Sequence, residues 1–284
     1  FKQKTAYEML RSLVGSEMCI RDSLYSLQEG KYYWKINVSN TTDTNASEVY
    51  EFTYTNPEIS SCKNLSQANT YYYLTQNITN SAGTCFNITA NNVTLDCKGY
   101  FINYSYNQEG GKGINISGYN FSTIKNCNFI EGGEAGAHRY AITALLAYNS
   151  TIQDNNITTI YNRAYGIVLD NSTNCTIKNN NILGNQNQPS QQYGPWNGIF
   201  LKNSTNNYIY DNNIKATAWY SNPIWSSDSQ QNSIFNNNIT LFGSGGFNLI
   251  AGIKVSSKSN YIYAVSYTHL RAHETPEQLV CRLL

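Results

Sequence analysis

The sequence predicts an all-β chain wound as a right-handed parallel β-helix of about 6–7 rungs, preceded by a short two-strand hairpin. Three observations predict it. A small residue followed by an Ile-containing strand recurs as GINI from Gly113, AITA from Ala141, GIVL from Gly166 and GIFL from Gly198, then as PIWS from Pro223 and GIKV from Gly252. Ten residues after each of Ile114, Ile142, Ile167, Ile199 and Ile224 stands a second Ile, at 124, 152, 177, 209 and 234; the sixth copy, Ile253 to Ile262, is one residue short. An Asn-rich tetrapeptide follows, NCNF, DNNI, NNNI, DNNI and NNNI, with Cys127, Asn155, Asn180, Asn212 and Asn237 in its second place. Repeats of this length that carry strands and no helical period are the mark of a solenoid.

The opening run 1–23 and the closing run 264–284 share nothing with the Asn-, Tyr- and Ile-rich chain between them. Both closely resemble translated sequencing-adapter read-through, so they are set aside in fold reasoning. His269, His273, Cys19 and Cys281 are therefore expected to carry no function. The native chain is expected to extend beyond both junctions.

Residues 24–56 alternate apolar and polar in YYWKINV and again in VYEFTY, around the polar turn NTTDTNAS, which predicts a hairpin. It resembles the last hairpin of an immunoglobulin-like or fibronectin type III-like domain, with Pro57 marking a linker. Residues 57–112 resemble the cap and first rung found before many β-helix domains of prokaryotic, especially archaeal, surface proteins. This stretch carries Cys62, Cys85 and Cys97. An oxidising compartment would allow a Cys62–Cys85 disulfide; buried free thiols are the alternative, because spacing does not fix connectivity.

Residues 113–263 hold the repeats. Their Ile stripe can be buried only against the rungs above and below. Rungs stacked about 4.8 Å apart bring the Asn of each tetrapeptide into one column. A side-chain amide both donates and accepts, so such a column forms a ladder that satisfies its own polar groups. Cys127, Asn155, Asn180, Asn212 and Asn237 are accordingly assigned to structure.

Length varies only between the Asn motif and the next small-Ile strand, where the chain inserts IEGGEAGAHRY, TTIYNRAY, LGNQNQPSQQYGPWN and KATAWYSN. Insertions on one face of a solenoid often form its binding face. They place Tyr140, Tyr165, Tyr193, Trp196, Trp219 and Tyr220 down one side, as candidates to stack on sugar rings. Packing at the base of the loops is the alternative, because Tyr and Trp are amphipathic. His138, Arg139, Arg163 and Glu134 are the weak catalytic candidates, gathered with Glu131 in the densest titratable cluster.

The repeat resembles those of pectate lyases, polygalacturonases, alginate epimerases and periplasmic NosD-like proteins. The resemblance implies their fold; none of their active-site signatures can be placed on this chain. There is no Asp pair near a strand end and no Asp cluster for calcium, so neither metal nor cofactor is expected. Fold alone does not make an enzyme.

Composition narrows the partners. Charged residues are 13% of the chain and the net charge is +1, which leaves no nucleic-acid footprint. No apolar run is long enough to span a membrane, so membrane contact would require an anchor elsewhere. Frequent sequons, among them Asn77, Asn87, Asn115, Asn156, Asn171, Asn203 and Asn238, fit an extracellular or cell-surface location. The expectation is a surface β-helix module binding polysaccharide or glycan within a larger protein. A polysaccharide lyase, hydrolase or epimerase and a structural stalk or adhesin scaffold are the alternatives.

Overall fold

A computed structural model describes residues 30–35, 37–39, 44–54, 56–79, 81–106, 110–132, 138–160, 164–185, 196–217, 221–242, 252–257 and 259–270. The chain divides into two compact units, residues 1–55 and 56–284. In the first, Gly30–Trp34 pairs antiparallel with Tyr50–Tyr54, and Asn37–Ser39 with Thr44–Ala46. Trp34 and Tyr50 face each other across the hairpin with ring centroids 4.8 Å apart, a cross-strand aromatic pair of the kind that fixes register.

The second unit is a parallel β-solenoid of the right-handed type. Among the described residues every regular element is a strand, and the strands of this unit form three parallel sheets of eight, nine and seven. A representative rung runs from Arg139–Leu145 on the first face through Thr151–Gln153 on the second to Asn156–Thr159 on the third. The next rung begins at Ala164–Asp170. Strands pair only with their equivalents one rung away, so register copies the sequence repeat. Ile114, Ile142, Ile167, Ile199, Ile224 and Ile253 fall in one column. Ile124, Ile152, Ile177, Ile209, Ile234 and Ile262 form a second. Phe129, Ile157, Ile182, Ile214 and Ile239 form a third. All but the members on the last rung, Ile253 and Ile262, are at most 1% exposed. Each buried Ile is worth about 1.5–3 kcal/mol, and the core is the sum of such columns.

Backbone sterics explain the residues between these columns. Asn126, Asp154, Asn179, Asp211 and Asn236, each just before the ladder position, have φ of 55°, 57°, 55°, 55° and 53°. Asn and Asp tolerate this left-handed conformation best after Gly. The first residue of each motif therefore turns the chain, and the second is delivered inward. At the small-residue corner, a Cβ added to Gly166 would lie 2.5 Å from the carbonyl oxygen of Gly198, and one added to Gly198 would lie 2.5 Å from that of Pro223. The recurring Gly thus reflects close approach between rungs.

Two disulfides staple the first rungs. One joins Cys62 to Cys85 and the other joins Cys97 to Cys127, a pairing the sequence left unassigned. The strand Ser266–Leu270, within the closing run set aside above, aligns parallel to Asn238–Phe242 on the third face.

Candidate functional site

Interior polar columns occupy two of the corners. In the predicted ladder, the side-chain amides of Asn155, Asn180 and Asn212 donate to Oδ1 of the Asn one rung on, at 3.0, 3.0 and 2.9 Å. The backbone N–H groups of the same residues reach the same oxygens at 3.1, 3.0 and 3.1 Å. The Cys127 N–H donates to Asn155 Oδ1 at 3.0 Å, so the disulfide-bonded Cys ends the column. Two further columns were not anticipated. Asn207 donates to Asn232 and Asn232 to Asn260, at 2.9 and 3.0 Å. The backbone N–H groups of Ser172, Ser204 and Ser229 donate to the hydroxyls of Ser204, Ser229 and Ser257. The signal was available, because Ser172, Ser204 and Ser229 each follow the first Ile of their repeat by five residues, and Asn207 and Asn232 by eight. These groups bond to one another and leave little for a ligand.

The insert face divides the predicted residues. Arg139 is 2% exposed and its Nη1 lies 3.4 Å from Oε1 of Glu131, itself 1% exposed. Glu131 Oε2 also accepts from the backbone N–H of Ile160 at 2.8 Å. Arg139 is thus an internal ion-pair partner, inaccessible as a catalytic or ligand-binding group. Trp196 is corrected in the same way: it is fully buried, its indole N–H donates to Thr159 Oγ1 at 2.6 Å, and its ring lies over Gly184. Both sit at the inward start of a first-face strand, where the side chain meets the end of the third face. Counting back from the next Ile found the right corner but not the side-chain direction. Glu134, Arg163, Tyr193, Trp219 and Tyr220 lie outside the described residues.

What remains outward is an aromatic strip on the first face. Tyr140 and Tyr165 stack at 5.1 Å, Tyr165 meets Phe200 at 5.8 Å, and Phe200 stacks on Trp225 at 4.4 Å. All four side chains are partly exposed. The exposed His138 adjoins the strip, its ring 5.8 Å from that of Tyr165. Phe200 and Trp225 were missed, although they stand two residues after the small residue in GIFL and PIWS. Strand alternation from the buried Ile points that position outward.

Cations bracket the strip. Lys112 Nζ lies 6.0 Å from the Tyr140 ring centroid, and Lys254 Nζ 4.8 Å from that of Trp225. Lys112 is half-buried, and desolvation draws its ammonium below the usual lysine range. Asp170 and Lys202 pair at 3.2 Å along the same face. Asn197 Nδ2 and Trp225 Nε1, like the Ser221 and Ser226 hydroxyls of the same sheet, are buried with no hydrogen-bond partner among the described residues.

The second face carries a contrasting stack, in which Tyr210, Phe235 and Tyr263 lie nearly parallel at 4.9 and 5.0 Å. At its other end Asp96 gathers the hydroxyl of Tyr71, the amide of Asn126, the backbone N–H of Lys98 and the ammonium groups of Lys98 and Lys125. Among the described residues no helix is long and apolar enough to cross a membrane.

Stacked three-sided rungs, an internal asparagine ladder and a decorated first face define a β-helix module of the pectate-lyase-like superfamily. The chain belongs to the NosD family within it: the family model described as periplasmic copper-binding protein (NosD) matches residues 78–264. No curated protein matches the chain. Among solved structures it is similar to a point mutant of DFA-IIIase from Arthrobacter chlorophenolicus A6, at 14% identity and a TM-score of 0.47, over 70% of this chain and 45% of that one. The same enzyme in complex with GF2 aligns at 10% identity and a TM-score of 0.45, over 75% of this chain and 66% of that one. The mannuronan C-5 epimerase AlgE4 A-module of Azotobacter vinelandii aligns at 10% identity and a TM-score of 0.27, over 76% and 84%. The chain spans about half the length of the first DFA-IIIase structures, 45% and 48%.

The family description invites a test of the donor set. Copper sites draw on thiolate, thioether and imidazole ligands brought together. Among the described residues no three His, Cys, Asp or Glu side chains cluster to hold a metal. Four cysteines are closed in disulfides, and burial pushes the thiol of Cys175 up to about 11. His138 stands against tyrosines, and both Met residues lie outside the described residues. The side chains described here do not fit a copper centre.

Proposed function

We propose that this chain is an extracytoplasmic β-helix module that holds a glycan along its first face. The observation carrying this reading is the outward strip of Tyr140, Tyr165, Phe200 and Trp225, which runs over four consecutive rungs beside half-exposed polar groups. At about 4.8 Å per rung it extends for about 14 Å, long enough for a chain of sugars rather than one. The interior columns are occupied by their own hydrogen bonds, and Arg139 and Trp196 turn inward, so recognition falls to outward side chains, among which this strip spans four rungs against three for the second-face stack. The periplasmic description of the family and the two disulfides support a location outside the cytoplasm.

Affinity electrophoresis through polysaccharide gels, followed by titration of oligosaccharides, tests the reading. Tyr165→Ala and Trp225→Ala should each weaken binding about tenfold or more, as truncation of an aromatic anchor does. Phe235→Ala on the second face should leave binding unchanged. Equal loss in all three variants, or none in any, would refute a first-face site.

One observation favours a second reading, that of a structural scaffold. The strip rings stack on one another, so much of each aromatic face is already covered. A folded protein that retains no glycan of any class would be assigned to that role.

A further inference from the structure

We infer that the folded solenoid is a substrate for N-glycosylation at Asn64 and Asn77, two sequons on its outermost segments. The donor is an oligosaccharide carried on a lipid phosphate, and the catalyst an extracytoplasmic N-glycosyltransferase. This is independent of the glycan reading above, which concerns a sugar held without a covalent bond.

Hydrogen bonding separates these two sites from the other sequons of the solenoid. The sugar is attached at the Asn side-chain nitrogen, so Nδ2 must be free and the Ser or Thr two residues on must be reachable. Outward asparagines pass their hydrogen bonds down the stack in one direction. Asn115 Nδ2 donates to Asn87 Oδ1 at 3.2 Å, and Asn87 Nδ2 to Asn64 Oδ1 at 3.1 Å. Asn64 ends that column, so it accepts, and among the described residues its own amide meets no acceptor. Asn77 likewise accepts, from the Phe101 N–H at 3.0 Å, and keeps its amide free. The amides of Asn92, Asn171 and Asn238 are instead spent on Asn69, Asp170 and Asn213.

Burial removes the sequons that remain. In Asn64-Leu65-Ser66 and Asn77-Ile78-Thr79 the first and third residues are both exposed and only the middle one is buried. Asn103 and Asn120 lead to Ser105 and Ser122, which are fully buried. Asn149, Asn156, Asn174 and Asn203 lead to Thr151, Thr158, Thr176 and Thr205, all half-buried between neighbouring rungs.

Position in the fold favours the same pair. Lys63–Leu65 is the edge strand of the eight-stranded sheet and pairs only with Phe86–Ile88. Ile78 lies beyond the edge of the seven-stranded sheet, joined to Ile102 by an isolated bridge. A transferase must draw its acceptor away from the sheet, and segments bonded on one side open at the least cost. The strand of Asn115 is held by rungs on both sides. A bulky hydrophilic group at these edges also blocks pairing with a foreign strand.

In the transfer Nδ2 loses a proton to a base of the transferase and bonds C1 of the sugar. The C1–O bond to the lipid phosphate breaks, and the phosphate leaves with the electron pair.

The test incubates the whole folded chain with a purified oligosaccharyltransferase and its lipid-linked oligosaccharide. Synthetic peptides spanning each sequon serve as the unfolded reference, and peptide mass spectrometry follows the rate at each Asn. Divided by the rate of its own peptide, modification at Asn64 and Asn77 should be about tenfold or more faster than at Asn87, Asn115 or Asn203. Ser66→Ala and Thr79→Ala should each abolish modification of their own Asn and leave the other site unchanged. Failure of either site to react in the folded chain, or equal normalised rates at all five, would overturn the inference.

Discussion

Replacing Asn180 by Ala should destabilise the solenoid by about 4 kcal/mol. Asn180 sits in the middle of the ladder, 1% exposed. Its Oδ1 accepts from both the backbone N–H and the side-chain amide of Asn155, at 3.1 and 3.0 Å. Its Nδ2 donates to Ile152 O, Lys178 O and Asn212 Oδ1. Alanine strands the Asn155 backbone N–H and one N–H of its side-chain amide, whose other N–H keeps Ile124 O at 3.2 Å. The acceptors suffer less: Asn212 Oδ1 keeps the Asn180 N–H, and Lys178 O keeps that of Asp154. Two buried donors without partners, at about 1–3 kcal/mol each, give a loss centred near 4 kcal/mol. The neighbouring residue provides the control. Asn181 belongs to an exposed outer column, bonding Asn156 and Asn213 at 2.9 and 3.0 Å, where water replaces any lost contact. Asn181→Ala should therefore change stability by no more than about 0.5 kcal/mol. Urea unfolding followed by circular dichroism measures both. A loss below about 1 kcal/mol for Asn180→Ala, or equal losses for the two variants, would show that the ladder does not supply the stability assigned to it.

Two further outcomes follow from packing and charge. Gly184→Ala brings a Cβ to 2.4 Å from Trp196 Cε2 and should cost about 1–3 kcal/mol in urea unfolding, with Trp196→Phe in the same chain restoring part of it; no rescue would mean the ring is not the obstacle. Asp96 should lend stability that acid removes. Burial opposes its ionisation, but hydrogen bonds from Tyr71, Asn126 and the Lys98 N–H, with the charge of Lys125, hold its carboxyl below the ordinary value of 3.8. A folded-state value below the unfolded one gives a contribution that is full above 3.8 and fades as pH falls through the folded value. The stability gap between wild type and Asp96→Asn should thus close below about pH 4, and a gap constant across that window would refute the assignment.

The fold was legible because a solenoid writes its register into its sequence. The ten-residue spacing of Ile142 and Ile152 is the distance from one face to the next, and five successive rungs repeat it. The ladder was legible for the same reason. The site was less so, because parity is lost where strands begin. Trp196 and Asn197 are neighbours, yet one is in the core against Gly184 and the other belongs to an outward column. The corner residue Gly198 interrupts the alternation between Asn197 and Ile199, and nothing in the composition of the insert marks that break. Phe200 and Trp225, by contrast, lie inside regular strands, where alternation from Ile199 and Ile224 places them outward.

The same accounting bears on the sequons. Asn171 sits at a left-handed turn that suits Asn, with φ of 48°. Ser172 follows because its hydroxyl accepts from the Ala147 N–H and donates to the Ala144 carbonyl. Thr173 completes the triplet because it bridges to Thr205 on the next rung, their hydroxyls 3.3 Å apart. Asn203, Ser204 and Thr205 repeat the arrangement, with φ of 47° at Asn203. The flanking rungs fill the same three places with Leu146-Ala147-Tyr148 and Asp228-Ser229-Gln230, so Asn-Ser-Thr suits this turn without being required by it. The sequons of this turn thus have structural work of their own, and the extracytoplasmic assignment stands on the disulfides and the family.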